Sequence, residues 1–559
     1  MKKRVLCCLL TAVMVFSLTA CGGGSDESTS QGSGVTVDGK ELDAEQYYNT
    51  YLVSDPSTLD SVKLTDNYGW AILTNIMEPL TRMSEEDGEN VRVGAGAETW
   101  ESNEDGTVWT FHLRDNTWTD GQAVTANDYV YGITRTLDPE SGSPNAYLIT
   151  CIKNGAAVNN GEMDVSELGV KAVDDKTLEI TLEQPSPYFI SLTDTRAMLP
   201  QREDIVEQYG DTYGAEADTI IGCGPFKLES WTHNSEIVAV KNEDYWNAEE
   251  VYLDTVDWKI ISDENALYSS FENESLDIVG SATKEWMEKF STTEGVDTVE
   301  YVSPAVRYNF YNTKDELFSN YNIRKAFSIA LDRDDVSNTI YDGAMLASYS
   351  WVPEGVSTGE LGDFRAQSEN PMEEMMKEDP KEVLLQGMKE LGLGDDPSTI
   401  TVTLSFGDTS QWMRKYGEYY QQVFKEKLGV NIELDYNEWS TFQSKTVSGD
   451  YQMGYMSWSI DYNDPISMLE NMTSDAGAIP TFWSNEEYDK LIAQAKTEMD
   501  EAARVELYKQ AEKILFDEGM VLCPVVNEQV HSYRHDYMNN LPTTYFNTMG
   551  LIGVFTSGR

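Results

Sequence analysis

Apolar and polar positions along this chain follow two periods, and each marks a different kind of element. The run Val108-Trp109-Thr110-Phe111-His112-Leu113 alternates and predicts a strand, reached through a turn at Asp105-Gly106-Thr107. Thr125 is placed to cap a helix over 126–137, and Asp128 three residues on approaches a capping box. Residues 170–173 and 177–182 flank Asp174-Asp175 and predict a hairpin. Further strands are expected at 47–53, 237–240, 256–261, 277–279 and 305–311, with helices at 67–77, 265–272 and 323–331. Ordered structure is expected to start near Glu45. Residues 357–380 are polar, acidic and broken by glycine and proline, so they read as a surface insertion or loop. The clearest local pattern follows: strand 400–406, helix 411–428, strand 430–436, helix 442–448 and strand 451–457. That order implies a parallel sheet. Ligands of open α/β sheets sit beyond the carboxyl ends of the strands. Two helices over 486–516 and a return strand at 521–526 complete the pattern, and no internal repeat is found.

Just past the last parallel strand stands Trp458-Ser459-Ile460-Asp461-Tyr462-Asn463-Asp464-Pro465. Asn463-Asp464-Pro465 is a turn signal that stops the strand. An anionic group among Trp and Tyr at a strand end suits a cationic, partly apolar ligand. The same residues also fit an Asx-type turn whose side chain caps its own backbone.

Composition narrows the partners. The 559 residues carry 40 Lys and Arg against 96 Asp and Glu, a net charge of −56, which argues against nucleic acid and anionic membrane surfaces. An acidic surface that keeps an exported protein soluble accounts for the same charge. Lys2, Lys3 and Arg4 precede an apolar run over 5–18 that is too short for a comfortable membrane span, so it reads as a signal peptide. Leu18-Thr19-Ala20-Cys21 resembles a bacterial lipobox, which implies lipidation of Cys21 and a membrane anchor. The Gly/Ser-rich stretch that follows is expected to tether the body over residues 21–44, with a reach of roughly 20 Å for its first thirteen residues. Outside the leader and Cys21 only Cys151, Cys223 and Cys523 remain; their spacing fits neither a disulfide framework nor a metal site, and they read as small buried apolar residues. His531 and His535 have helical i, i+4 spacing but no carboxylate motif joins them, so no metal or cofactor is expected. Gly-x-Ser-x-Gly, His-Glu-x-x-His and nucleophile–base patterns are absent, which argues against an enzyme.

Several segments together resemble the extracytoplasmic solute-binding proteins of peptide ABC importers, the oligopeptide-binding type most closely. They are Asp55-Pro56-Ser57-Thr58-Leu59-Asp60, Val108 through Arg114, Trp118 through Ala126, Asp128-Tyr129-Val130-Tyr131, Gly222-Cys223-Gly224-Pro225-Phe226, Lys241 through Trp246, Ile323-Arg324-Lys325-Ala326-Phe327 and Asp461 through Pro465. The resemblance implies an α/β, two-lobe periplasmic-binding-protein-like fold of class II, the large peptide-binding type, with an extra subdomain, mixed sheets and a hinge. It implies lobe I over 45–77, 200–302 and 529–559, the extra subdomain over 78–199 and lobe II over 303–528. It further implies a monomer outside the cytoplasmic membrane that hands oligopeptides to permease subunits. On this resemblance Asp461 pairs with the peptide α-ammonium, and Ser457, Trp458 and Ser459 offer backbone groups along the adjoining strand. Asp66, Asn67 and Tyr68 supply contacts from the other lobe, and Tyr147 comes from the extra subdomain. Arg414 and Lys415 are candidates, by type only, for the peptide carboxylate. A nickel complex or glycan as cargo, and a peptide-sensing role, remain open.

Overall fold

The computed structural model describes residues 32–86, 89–547 and 549–559. The architecture is α/β, with mixed sheets in two lobes and a smaller subdomain. One four-stranded sheet joins Phe226–Thr232, Glu236–Lys241, Thr255–Ile260 and Tyr47–Leu52, the last pair parallel. Every second residue of Tyr47–Leu52 is buried, as a strand with one covered face requires. A second, antiparallel four-stranded sheet joins Ala97–Ser102, Val108–Leu113, Thr177–Thr181 and Val170–Asp174.

Two helices open on side-chain caps. Helix α1 (Asn67–Ile76) starts where the Asp66 carboxylate accepts from Gly69 N at 2.8 Å. At its other end the Ile76 carbonyl accepts from Cys223 N at 3.0 Å and Gly224 N at 2.9 Å. A Cβ on Gly222 would lie 2.3 Å from that same oxygen, so glycine is required for the approach. The Gly222-Cys223-Gly224 segment is thus a docking seat for α1. Helix α2 (Ala126–Leu137) opens as expected, with Thr125 N donating to Asp128 Oδ2 at 2.7 Å. Its Arg135 grips Asp60 through both nitrogens, at 2.6 and 2.7 Å, and locks α2 to the turn before α1.

The largest sheet contains β1 (Val296–Tyr311), β2 (Thr401–Phe406), β3 (Asn431–Tyr436), β4 (Met453–Ser459) and β5 (Leu522–His535). Helix α3 (Gln411–Lys427) crosses from β2 to β3. The order runs from Ile278–Gly280 through β5, β1, β4 and β2 to β3, and Met345–Ala347 adds to β5. Strands β3, β2 and β4 are mutually parallel, as the alternating pattern predicts, whereas β1 runs antiparallel to both β4 and β5.

Four expectations shift. Residues 32–43, expected within the tether, form a hairpin of Gly32–Val37 and Lys40–Asp43. The reason is remote in sequence: the Asp43 carboxylate accepts from Gly558 N and Arg559 N at the chain's far end. Strand β1 begins nine residues earlier than 305, because 296–302 pair with β5. Residues 357–380 are not all loop. They hold the short helix Phe364–Gln367, and Pro380 opens the helix Pro380–Glu390 behind an Asp379 cap, where a proline at the first position loses no hydrogen bond. Strand β4 lies two residues later than 451–457. Among the described residues no helix is long and apolar enough to cross a membrane. Cys21 lies outside the described residues.

Candidate functional site

Strand β2 stops at Phe406, opposite Tyr455. From Met456 to Ser459 β4 therefore has a strand partner on one side only, namely β1. Ser457 and Ser459 face solvent along this stretch, while Met456 and Trp458 turn inward and are half-buried. The Trp458 indole N–H is buried without a hydrogen-bond partner. This is an open strand edge at the carboxyl end of a parallel sheet, where an extended chain can add.

The turn after β4 is held rigidly by its own lobe. Tyr462 Oη donates to Glu470 at 3.0 Å, Asn463 Oδ1 accepts from Ser357 N at 2.8 Å, and Asp461 N donates to Ser467 Oγ at 3.0 Å. Asp464 is buried and accepts from Ile466 N at 3.0 Å and Tyr508 Oη at 2.8 Å. Of the two aspartates, then, Asp464 is the turn cap. The Asp461 side chain is left to point across the cleft, where Oδ1 accepts from Tyr147 Oη at 3.0 Å.

Tyr147 reaches Asp461 from the single 3-10 turn Ala146–Ile149, whose Ala146, Leu148 and Ile149 are buried and hold it in place. Tyr147 itself is 59% exposed. Beside it the Tyr188 ring stacks on Tyr462 at 5.5 Å, a second contact between the subdomain and the large-sheet lobe. Asp461 is open to water in the cleft, yet the protein mass on both sides pushes its carboxyl above the ordinary aspartate range. The Tyr147 hydrogen bond and the Arg196 charge oppose that shift, and the Glu470 charge adds to it. Burial and the Asp461 charge together drive the Tyr147 phenol well up, so it remains a donor.

The other expected residues divide. Asn67 is exposed and Tyr68 half-buried in the first turn of α1, where backbone N–H groups lack helical partners. The Asp66 side chain serves the fold: it caps α1 and its Oδ2 also accepts from Ser57 N and Oγ. Arg414 lies over the Tyr436 ring at 4.7 Å on the exposed side of α3, with Lys415 exposed beside it. Nothing brings either of them to Asp461. The pattern of residues missed Arg196, which lies in a 3-10 turn and acts electrostatically on Asp461 and Tyr147. No periodicity marks that segment, so local signals could not have found it.

Cys223 and Cys523 are buried and Cys151 is half-buried, all as free thiols. His531 and His535 sit on a strand rather than a helix. They engage Glu300 and the Phe271 carbonyl respectively, and no cluster able to hold a metal occurs among the described residues. A cavity of about 500 Å³ lies between β1, the tail and the segment 354–366, lined in part by Tyr301, Arg365 and Tyr545. None of the expected site residues lines it.

The family model of bacterial extracellular solute-binding proteins, family 5, middle region, matches residues 93–479. The dipeptide-binding protein DppE of Bacillus subtilis is 34% identical over 479 residues, covering 86% of each chain. The oligopeptide-binding protein OppA of the same organism is 32% identical over 529 residues, covering 94% of each. The solved substrate-binding domain of an oligopeptide ABC transporter from Bacillus anthracis superposes with a TM-score of 0.74 at 29% identity, covering 92% of this chain and 99% of that one. Listeria monocytogenes OppA bound to peptide gives 0.72 at 28% identity, with the same coverage. By fold, by the position of its open strand edge and by these matches, the chain belongs to the family 5 bacterial extracellular solute-binding proteins.

Proposed function

We propose that this protein captures oligopeptides between its lobes and delivers them to the permease of an ABC importer. The observation that carries this reading is Asp461, a carboxylate freed from its own turn and aimed across the cleft beside an open strand edge. A peptide laid along Met456–Ser459 gains backbone hydrogen bonds whatever its sequence, and its α-ammonium meets a fixed counter-charge. Ser457, Ser459 and the backbone beside Trp458 are the strand groups offered, with Asn67 and Tyr68 facing from α1. Asp66 contributes through its backbone, since its carboxylate is spent on capping. The relatives named for oligopeptides and dipeptides, and the peptide-bound Listeria structure, support the choice of cargo.

Two sheets support a division of the chain: strands from 47–52 and 226–260 share one, and strands from 97–113 and 170–181 another, while the largest sheet runs across the remaining boundaries through β1 and β5. We take 45–77, 200–302 and 529–559 as lobe I, 78–199 as the extra subdomain and 303–528 as lobe II. Closure about the chain crossings traps the cargo. The protein acts as a monomeric carrier rather than a catalyst, held outside the membrane by a lipid on Cys21.

Thermal shift of the purified protein against defined peptides and their N-acetylated forms tests the reading. Free peptides should raise the melting temperature and acetylated ones should not. Equal shifts would remove Asp461 from ammonium binding, and shifts by glycans or nickel complexes alone would replace the cargo.

A further inference from the structure

Arg196 stands at the same site as a cation without a counter-ion of its own among the described residues. It begins the turn Arg196–Met198, anchored by the buried Ala197 and Met198. Its guanidinium lies over the Trp70 ring of α1 at 6.0 Å. Nη1 is buried and has no hydrogen-bond partner. Burial pulls its pKa down, and the Asp461 and Asp66 charges oppose that shift. Neither aspartate makes an ion pair with it. Asp66 gives Oδ1 to Gly69 N and Oδ2 to Ser57 N and Oγ, and Asp461 already accepts from Tyr147.

An idle nitrogen also occurs on Arg82, Arg307, Arg365, Arg504 and Arg534, but each of these is held by an ion pair or by carbonyl oxygens through its other nitrogens. Arg135 is bidentate on Asp60, and Arg324 and Arg333 each donate to several carbonyl oxygens. A guanidinium withdrawn from water and left incomplete costs stability unless something completes it. When the cleft closes and water leaves, an anion is the complement that supplies both the missing hydrogen bond and a counter-charge.

We infer that Arg196 forms an anion subsite beside Asp461, so that the protein favours ligands with a carboxylate close to a free amino terminus. Two sources offer that chemistry: the side chain of an N-terminal Asp or Glu, and the terminal carboxylate of a dipeptide. The inference rests on the ammonium reading of Asp461, which fixes the amino terminus next to Arg196.

Calorimetric titration of the purified protein compares Glu-Ala-Ala-Ala with Gln-Ala-Ala-Ala, and Ala-Ala with its C-terminal amide, each also as the N-acetyl form. The native protein should prefer the carboxylate member of at least one pair by about ten- to hundredfold, the range for a hydrogen bond to a charged group. The discriminating pair identifies the source. R196M should abolish the ratio while leaving the melting temperature near native, and R196K should retain part of it. A merely structural role would instead weaken all peptides alike. No discrimination by the native protein, which needs no variant to measure, overturns the inference, as does full discrimination in R196M. If acetylation leaves affinity unchanged, the Asp461 reading fails, and the ratio between the acetylated Glu and Gln peptides still decides Arg196.

Discussion

Glu78 and Asp461 are both carboxylates whose pKa the protein mass pushes up, and they have opposite fates. Glu78 is fully buried and saturated: it accepts from Arg82, from Tyr245 Oη at 3.1 Å and from Trp246 Nε1 at 2.8 Å. Asp461 has one side-chain donor, a tyrosine on the facing subdomain. The same contrast holds for Arg333, fully buried and donating to three carbonyl oxygens, and Arg196, with an idle nitrogen. A charged group whose hydrogen-bonding capacity is filled from within is scaffold. One left short at the meeting of two lobes is, on the function proposed above, where a ligand completes it.

The contrast breaks most forcefully at Glu78. Glu78→Ala strands the Arg82 guanidinium in the core, and chemical denaturation should show a loss of about 3–5 kcal/mol. A stability within experimental error of native would mean that the network is not structural. Asp461→Ala should do the reverse: the empty protein melts near its native temperature, and free-amino peptides lose about two to three and a half decades of affinity. A variant that binds such peptides as well as native refutes the assignment.

The pH dependence sharpens the same point. The empty-site carboxyl of Asp461 lies above the ordinary aspartate value, and an ammonium partner draws it down. Below the empty-site value binding must therefore expel a proton. Affinity is constant above that value and falls as pH drops through it, by at most about tenfold per unit. It also falls at the alkaline end, once the peptide α-amino group deprotonates near about pH 8. Titrations at several pH values check both limbs, and an affinity indifferent to acid would contradict the role given to Asp461. The smallest effect belongs to Tyr147→Phe, which removes one hydrogen bond to a carboxylate that stays accessible. A loss of about 0.5–1.5 kcal/mol, roughly two- to tenfold in affinity, is expected by calorimetry, with the fold intact.

What could be read from the residues depended on how local the cause was. The β-α-β-α-β segment from 400 onward was legible because each element buries its own face on the next. The strand end and turn that carry Asp461 were legible because a strand, two aromatics and Asn463-Asp464-Pro465 lie together in sequence. The choice between the two aspartates was not, since it turns on Tyr508 and Ile466 for one and Tyr147 for the other. The hairpin over 32–43 hid in a Gly/Ser-rich stretch because its anchor is at 558–559. The first half of β1 hid because its partner lies over 200 residues away in β5. Arg196 left no trace, since a 3-10 turn has no period to detect.

Strands β1 and β5 run on as continuous partners from Val296 and His535 to Phe310 and Leu522, and their ladder slips twice, between Val302 and Val306 and between Arg307 and Tyr308. Such slips are where a ribbon bends most readily. The two halves of the molecule are therefore spliced by one unbroken pair of backbones, not joined by a tether. Severing the chain near 303 would leave each fragment with raw, sticky borders instead of a finished module, so this protein is built to be made as one piece.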